Sequence, residues 1–322
     1  MEFKNFDLLP PFKINFMMMS ISESQNYGLK MHNIPEEWKK TKGEGIKIGL
    51  IDTGLPIHRD LNNQICEVNN FTKDPVEDMV VGHSSHCAGI TCGEENGEGV
   101  VGIAPKAKLV IAKALGDNGS GNDRDLARAI EWTSNQGVQI INMSLGAPYW
   151  AASYFPQTYK AIKEAYEKNI VIVCASGNEN ANKVGVPARY KECIAVGAVN
   201  EKMKRASFSN KGPSLDFMAS GVNIISTYIN NSFASLNGTS MAAPQISGIV
   251  ALMLSEHQGD KERRTPINNV QDVVDHLKKI CIDLGDTGFD NEYGFGLPIF
   301  GEVPVKPYVP KKTLLQKILP FL

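Results

Sequence analysis

Two rhythms of apolar residues alternate along this chain: short continuous runs, and longer stretches with an apolar position every third or fourth residue. The run Ile46-Lys47-Ile48-Gly49-Leu50-Ile51 is closed by Asp52, Thr53 and Gly54. It predicts a buried parallel strand with a carboxylate at its C-terminal end. Positions 108–113, 138–143, 170–175 and 193–199 read the same way. Helices are expected near 83–93, over 123–136 with Leu126, Ala127 and Ile130 on the apolar side, and near 155–168. This alternation predicts an α/β fold of three layers, with helices on both faces of a mostly parallel central sheet. Sites in such sheets gather at the carboxyl ends of the strands, where Asp52, Ser144 and Asn178 fall.

Chemistry concentrates in three short motifs. Asn237-Gly238-Thr239-Ser240-Met241-Ala242-Ala243-Pro244 places a serine where an apolar, small-residue helix begins. Unpaired backbone N–H groups and the positive end of the helix dipole favour an oxyanion there. A serine nucleophile needs a histidine base held by a buried carboxylate. His83 lies in Gly82-His83-Ser84-Ser85-His86-Cys87-Ala88-Gly89, with Ser84 or Ser85 expected to cap the helix, and Asp52 supplies the carboxylate. His83, His86, Cys87 and Cys92 also form a chemically plausible zinc set. Cys87 and Cys92 fall on different helix faces, however, and no second ligand pair has structural-zinc spacing.

In the order Asp, His, Ser, these motifs resemble the subtilisin-like serine proteases from about Tyr27 to about Phe300. The resemblance implies a subtilisin-like fold with Asp52, His83 and Ser240 as the triad, and Asn178, after the strand 171–175, as the oxyanion donor. It implies two edges that pair with substrate backbone: Leu115, Gly116 and Gly119 on one, Ser144, Leu145 and Gly146 on the other. Ala175, Gly177 and Gly185 would surround a primary pocket for a large apolar side chain. It also implies calcium, held by Asp60, the Asn96 side chain, the carbonyls of Glu94, Glu98 and Val100, and Glu23, an oxygen set suited to a hard cation. Ser84-Ser85 replaces the family's Gly-Thr after the histidine.

Both ends lie outside that core, giving an inhibitory extension at 1–21, a catalytic domain at 22–300 and a tail at 301–322. Leu8-Leu9-Pro10-Pro11-Phe12 resembles the short inhibitory motif of intracellular subtilisins. Proline lacks an N–H and fixes φ, so it spoils the strand pairing that presents a scissile bond. Removal of the extension is expected between Phe16 and Ser24. The tail, with Leu314, Leu315, Ile318 and Leu319, suggests packing on a second copy in a homodimer.

Composition narrows the class further. The chain has 322 residues, 42% hydrophobic, and a net charge of −2, which gives no electrostatic reason for nucleic-acid or membrane partners. Charges and prolines at the N-terminus occupy the place of a secretory signal's apolar core. The six cysteines read as reduced. The expectation is a cytoplasmic, self-inhibited serine endopeptidase acting on proteins and peptides. A narrow processing protease and a peptide-binding pseudoprotease are the alternatives.

Overall fold

The computed structural model describes residues 4–23, 26–259 and 267–301. Of the proposed tail at 301–322, residues 302–322 lie outside the described residues. Seven parallel strands form the central sheet, in the order Phe217–Ser220, Cys193–Val199, Val171–Ala175, Ile140–Met143, Lys47–Asp52, Lys108–Lys113 and Ile65–Asn70. The inner strands are buried along their length, as expected where helices cover both faces.

One helical layer holds His83–Cys92 and Thr239–Gly259, packed against each other. The other holds Asp123–Ser134 and Pro156–Glu167. Thr239–Gly259 is buried continuously from Thr239 to Met253, so an amphipathic period was never available to mark it. Asn122 caps Asp123–Ser134 by accepting from Asp125 N at 3.0 Å.

The N-terminal residues add two strands to this frame. Phe6–Asp7 pairs antiparallel with Ser120–Gly121, and Lys13–Met18 pairs antiparallel with Ser232–Asn237. The segment is thus pinned on both sides of the carboxyl edge of the sheet.

Buried histidines give the fold a pH signature. His32 Nδ1 donates to Pro298 O at 2.6 Å, and burial lowers its pKa to about 4 from the usual 6.5. The unfolded chain therefore takes up a proton near 6.5 that the folded chain refuses until about 4. Stability from this group is present above 6.5 and lost as pH falls through that window. His32→Gln should start less stable at pH 7 yet lose less stability between pH 6.5 and 4 than wild type, measured by denaturant unfolding. Equal losses would contradict the assignment.

Candidate active site

Asp52 ends the strand Lys47–Asp52 and His83 begins the helix His83–Cys92; both side chains are fully buried. His83 Nδ1 donates to Asp52 Oδ1 at 2.8 Å and lies 3.0 Å from Oδ2. Burial alone would push this imidazole down, but the Asp52 charge and then Cys87 outweigh it and hold the ring well above its ordinary pKa. His83 Nε2 is buried without a hydrogen-bond partner.

The turn into that helix is made by Gly82 at φ 73, not by a serine cap. Ser84 and Ser85 fall inside the first turn instead. A second buried carboxylate, Asp78, takes over the capping: its Oδ1 accepts from Gly82 N at 3.0 Å and Thr53 Oγ1 at 2.8 Å. Its Oδ2 accepts from Ser85 N at 2.9 Å and Ser85 Oγ at 3.1 Å. Thr53 N donates to Asp52 Oδ1 at 2.7 Å, and Ser84 N donates to Thr53 Oγ1 at 3.1 Å. Asp78 and Thr53 therefore fix Asp52 and His83 relative to each other.

Ser240 is the second residue of its helix. Its Oγ donates to Ser144 O at 3.1 Å, while Ser144 Oγ donates to Ser240 O at 3.0 Å. Asn142 Nδ2 donates to Ser144 Oγ at 3.0 Å, and Ser247 Oγ donates to Asn142 Oδ1 at 2.9 Å. Cys87 Sγ donates to Ser240 O at 3.4 Å. Asn178 Oδ1 accepts from Thr239 N at 2.9 Å and Thr239 Oγ1 at 2.8 Å. Gly177 N donates to the same Thr239 hydroxyl at 3.2 Å. With its oxygen committed, Asn178 presents Nδ2, which donates to Pro11 O at 2.8 Å. A carboxylate-paired imidazole, a hydroxyl at a helix start and an amide donor make a set suited to acyl transfer.

The zinc set does not assemble. Among the described residues Asp52, His83 and Cys87 bring three ligand-type atoms together, and His86 and Cys92 stay outside that group. His86 Nε2 instead faces Ile224 O at 3.1 Å and Ala234 O at 3.0 Å. The six cysteines are free thiols.

The chain's own N-terminal segment fills the cleft. Leu8 N and Leu9 N donate to Gly119 O at 3.2 and 3.1 Å, and Gly146 N donates to Leu8 O at 2.6 Å. Gly119 has φ 76, and a Cβ there would sit 2.9 Å from Leu9 Cβ, so only glycine allows this approach. Leu8 is buried in a cluster with Leu115 and Leu145. Gly116 stays off the segment and closes its own loop, donating to Ser120 O at 2.9 Å. The Phe12 ring lies 5.3 Å from the His83 ring. Residues 13–18 then leave along Ser232–Asn237, so Met17 is roughly 20 Å of extended chain beyond Pro11.

Around the expected primary pocket, Ala175 is buried and Gly185 N donates to Ser176 O at 3.0 Å. Ala147 and Val186 exchange both backbone bonds at 2.8 Å, and a Cβ on Gly146 would meet Val186 O at 2.9 Å. The two walls touch at this point.

The acidic loop gathers around Asp60. Asp60 Oδ2 accepts from Val100 N at 2.9 Å, while Oδ1 is buried without a partner. Asn96 Oδ1 accepts from Glu98 N at 3.1 Å, and Glu23 Oε1 accepts from Asn96 N at 3.0 Å and Gly97 N at 2.7 Å. The Glu94 carboxylate turns to Asn63, and Glu98 lies 3.9 Å from Arg59.

Residues 43–296 match the family model described as the subtilase family. The chain is 38% identical over 280 residues to the M-protease of Shouchella clausii (strain KSM-K16), covering 86% of this chain and 69% of that one. It is 40% identical over 256 residues to Subtilisin Savinase of Lederbergia lenta, covering 79% and 89%. It is 39% identical over 269 residues to the Major intracellular serine protease of Bacillus subtilis (strain 168), covering 80% and 83%.

Asp78 lies in no recognisable motif, yet it carries the geometry of the couple. Asp78→Ala orphans the Gly82 and Ser85 amides, and should cost roughly 1–3 kcal/mol in urea unfolding. It should also lower kcat by about tenfold or more through misplacement of His83. Wild-type kcat and stability would show that the network is dispensable.

Proposed function

The chain belongs to the subtilase family of serine proteases, hydrolases of peptide bonds, and on that footing we propose that it is an endopeptidase held off by its own N-terminal extension. Ser240 is the nucleophile. Reaction requires His83 in its neutral form, which its raised pKa makes available only as pH rises. Ser240 Oγ then swings from Ser144 O to His83 Nε2, which takes the proton as the peptide carbonyl is attacked and returns it to the leaving amine. Asp52 keeps the imidazole oriented and stabilises its charged form. Asn178 Nδ2 and the Ser240 N–H hold the oxyanion, and water then releases the acyl group from Ser240.

The observation that carries self-inhibition is the bond from Asn178 Nδ2 to Pro11 O, with Phe12 over the His83 ring. The extension lies where a substrate carbonyl belongs. Pro10 and Pro11 have no N–H to pair with the cleft, so nothing at position 11 competes for Ser144 O, and that oxygen keeps the nucleophile turned from its base. Trimming between Phe16 and Ser24 cannot come from the same molecule's Ser240 while residues 13–18 stay paired. It takes a second molecule, or release of the strand.

The residues around Asp60 fit a calcium ion. A buried carboxylate oxygen without a partner sits beside the Asn96 loop, and Gly99 passes so close that a Cβ would strike the Asp60 carboxylate. Asp60, Asn96 and the carbonyls of Glu94, Glu98 and Val100 would hold it. Glu23, bonded to the Asn96 and Gly97 amides, ties the N-terminal segment to the loop. The ion would brace the loop and take no part in peptide hydrolysis.

A large apolar residue before the cut, cytoplasmic location and a homodimer built on the tail complete the reading. Support for the location is similarity to an intracellular relative. No helix among the described residues is long and apolar enough to cross a membrane.

Wild type should digest casein and Ser240→Ala should not; the corresponding loss in subtilisin itself is about 10⁶-fold. Purified Ser240→Ala should stay full length by mass, then be trimmed when mixed with active wild type. A Ser240→Ala protein that digests casein or trims itself would overturn the assignment. Millimolar calcium should raise the melting temperature by several degrees over chelator, and Asp60→Asn should abolish that rise. An unchanged melting temperature would remove calcium from the account.

A further inference from the structure

The extension uses the cleft beyond the residues that lie at Asn178. Phe6 pairs with Gly121 and Asp7 with Ser120, contacts made through backbone that any peptide could supply. The Phe6 side chain is a separate matter. Its ring lies 5.2 Å from Tyr154 at 53° and 5.1 Å from Phe155 at 49°, tilted geometries that aromatic pairs favour. Lys4 Nζ sits 5.0 Å from both the Phe6 and Tyr154 ring centroids.

The wall of this cleft belongs to the catalytic domain. Tyr149–Tyr154 is a 3₁₀ helix that follows directly on the backbone-pairing edge at Ser144, Leu145 and Gly146. Phe155 behind it is buried, whereas Tyr154 is 47% exposed even with Phe6 in place. Loss of the extension leaves both rings facing the path that the peptide has vacated.

We propose that Tyr154 and Phe155 form a substrate subsite for an aromatic side chain, five residues N-terminal to the residue whose carbonyl meets Asn178. Phe6 is its present occupant. The inference rests on the reading that the extension follows the substrate path. Backbone pairing sets the register, the pocket around Leu8 takes an apolar residue, and the Tyr154–Phe155 cleft adds a second selection two residues further out. A cation two residues beyond the aromatic one, in the place of Lys4, adds to the same contact.

The test uses the processed enzyme and two internally quenched peptides that differ only by Phe or Gly at that position. Wild type should favour Phe by about five- to tenfold in kcat/KM, and Tyr154→Ala should reduce the preference to about twofold or less. A short peptide that stops before the cleft should be cut equally by both enzymes. No preference in wild type, or one that survives Tyr154→Ala, would overturn the subsite while leaving the protease assignment standing.

Binding supplies an independent readout. A labelled peptide of residues 4–12 should bind processed enzyme about five- to tenfold more tightly than its Phe6→Ala form, by fluorescence anisotropy. Equal affinities would overturn the subsite even if neither quenched peptide is cut, an outcome that would itself count against the protease reading.

Discussion

A carboxylate and an imidazole buried together must satisfy each other, and the rest of the site is arranged around that demand. Asp52 and His83 have no water to turn to. Their separation is the difference between a paired charge and a costly orphan. Thr53 and Asp78 hold the pair from behind. Asp78 also replaces the missing cap of the helix that brings His83 forward. The strand end fixes one partner and the helix start the other, so the parallel sheet and its carboxyl edge become the frame of the chemistry.

The same logic governs Ser240, the nucleophile of the proposed reaction. Ser240 Oγ donates to Ser144 O, and His83 Nε2 is buried without a hydrogen-bond partner. Asn178 is locked by Thr239, the residue before the nucleophile, and its amide meets the carbonyl of Pro11. On the proposed reading the extension acts at two points: Pro11 O takes the Asn178 amide that would hold the oxyanion, and Pro11 has no N–H to offer Ser144 O. Strand pairing on either side supplies the hold, through Gly119 and Gly146 before the site and through Ser232–Asn237 after it.

Local chemistry was legible in the sequence wherever one short segment contained both cause and effect. Asp52 closed an apolar run, Ser240 opened an apolar helix, and the central strands read as unbroken hydrophobic stretches. Pro10 and Pro11 marked two backbone positions that cannot donate to a neighbouring strand. What stayed hidden depended on the folded geometry of the backbone and on partners that no motif announces. Asp78 has no motif because its donors are two amides and two hydroxyls whose positions only the folded loop defines. Ser84 and Ser85 read as caps because serine usually caps, but a left-handed Gly82 moved the helix start ahead of them. Lys13–Met18 shows no clean alternation, and its partner strand lies far along the chain, with a register shift between Ser235 and Leu236.

The central claim is that the extension, docked through Leu8 and Pro11, keeps Ser240 from reacting. The most direct measurement is the rate at which a fluorophosphonate labels Ser240 in the full-length chain, compared with Leu8→Asp, which ejects the buried anchor and leaves the triad untouched. Burial of a leucine accounts for roughly 10–100-fold in the docking equilibrium, so labelling of Leu8→Asp should be faster by about that factor. Equal labelling rates in the two chains would contradict the account.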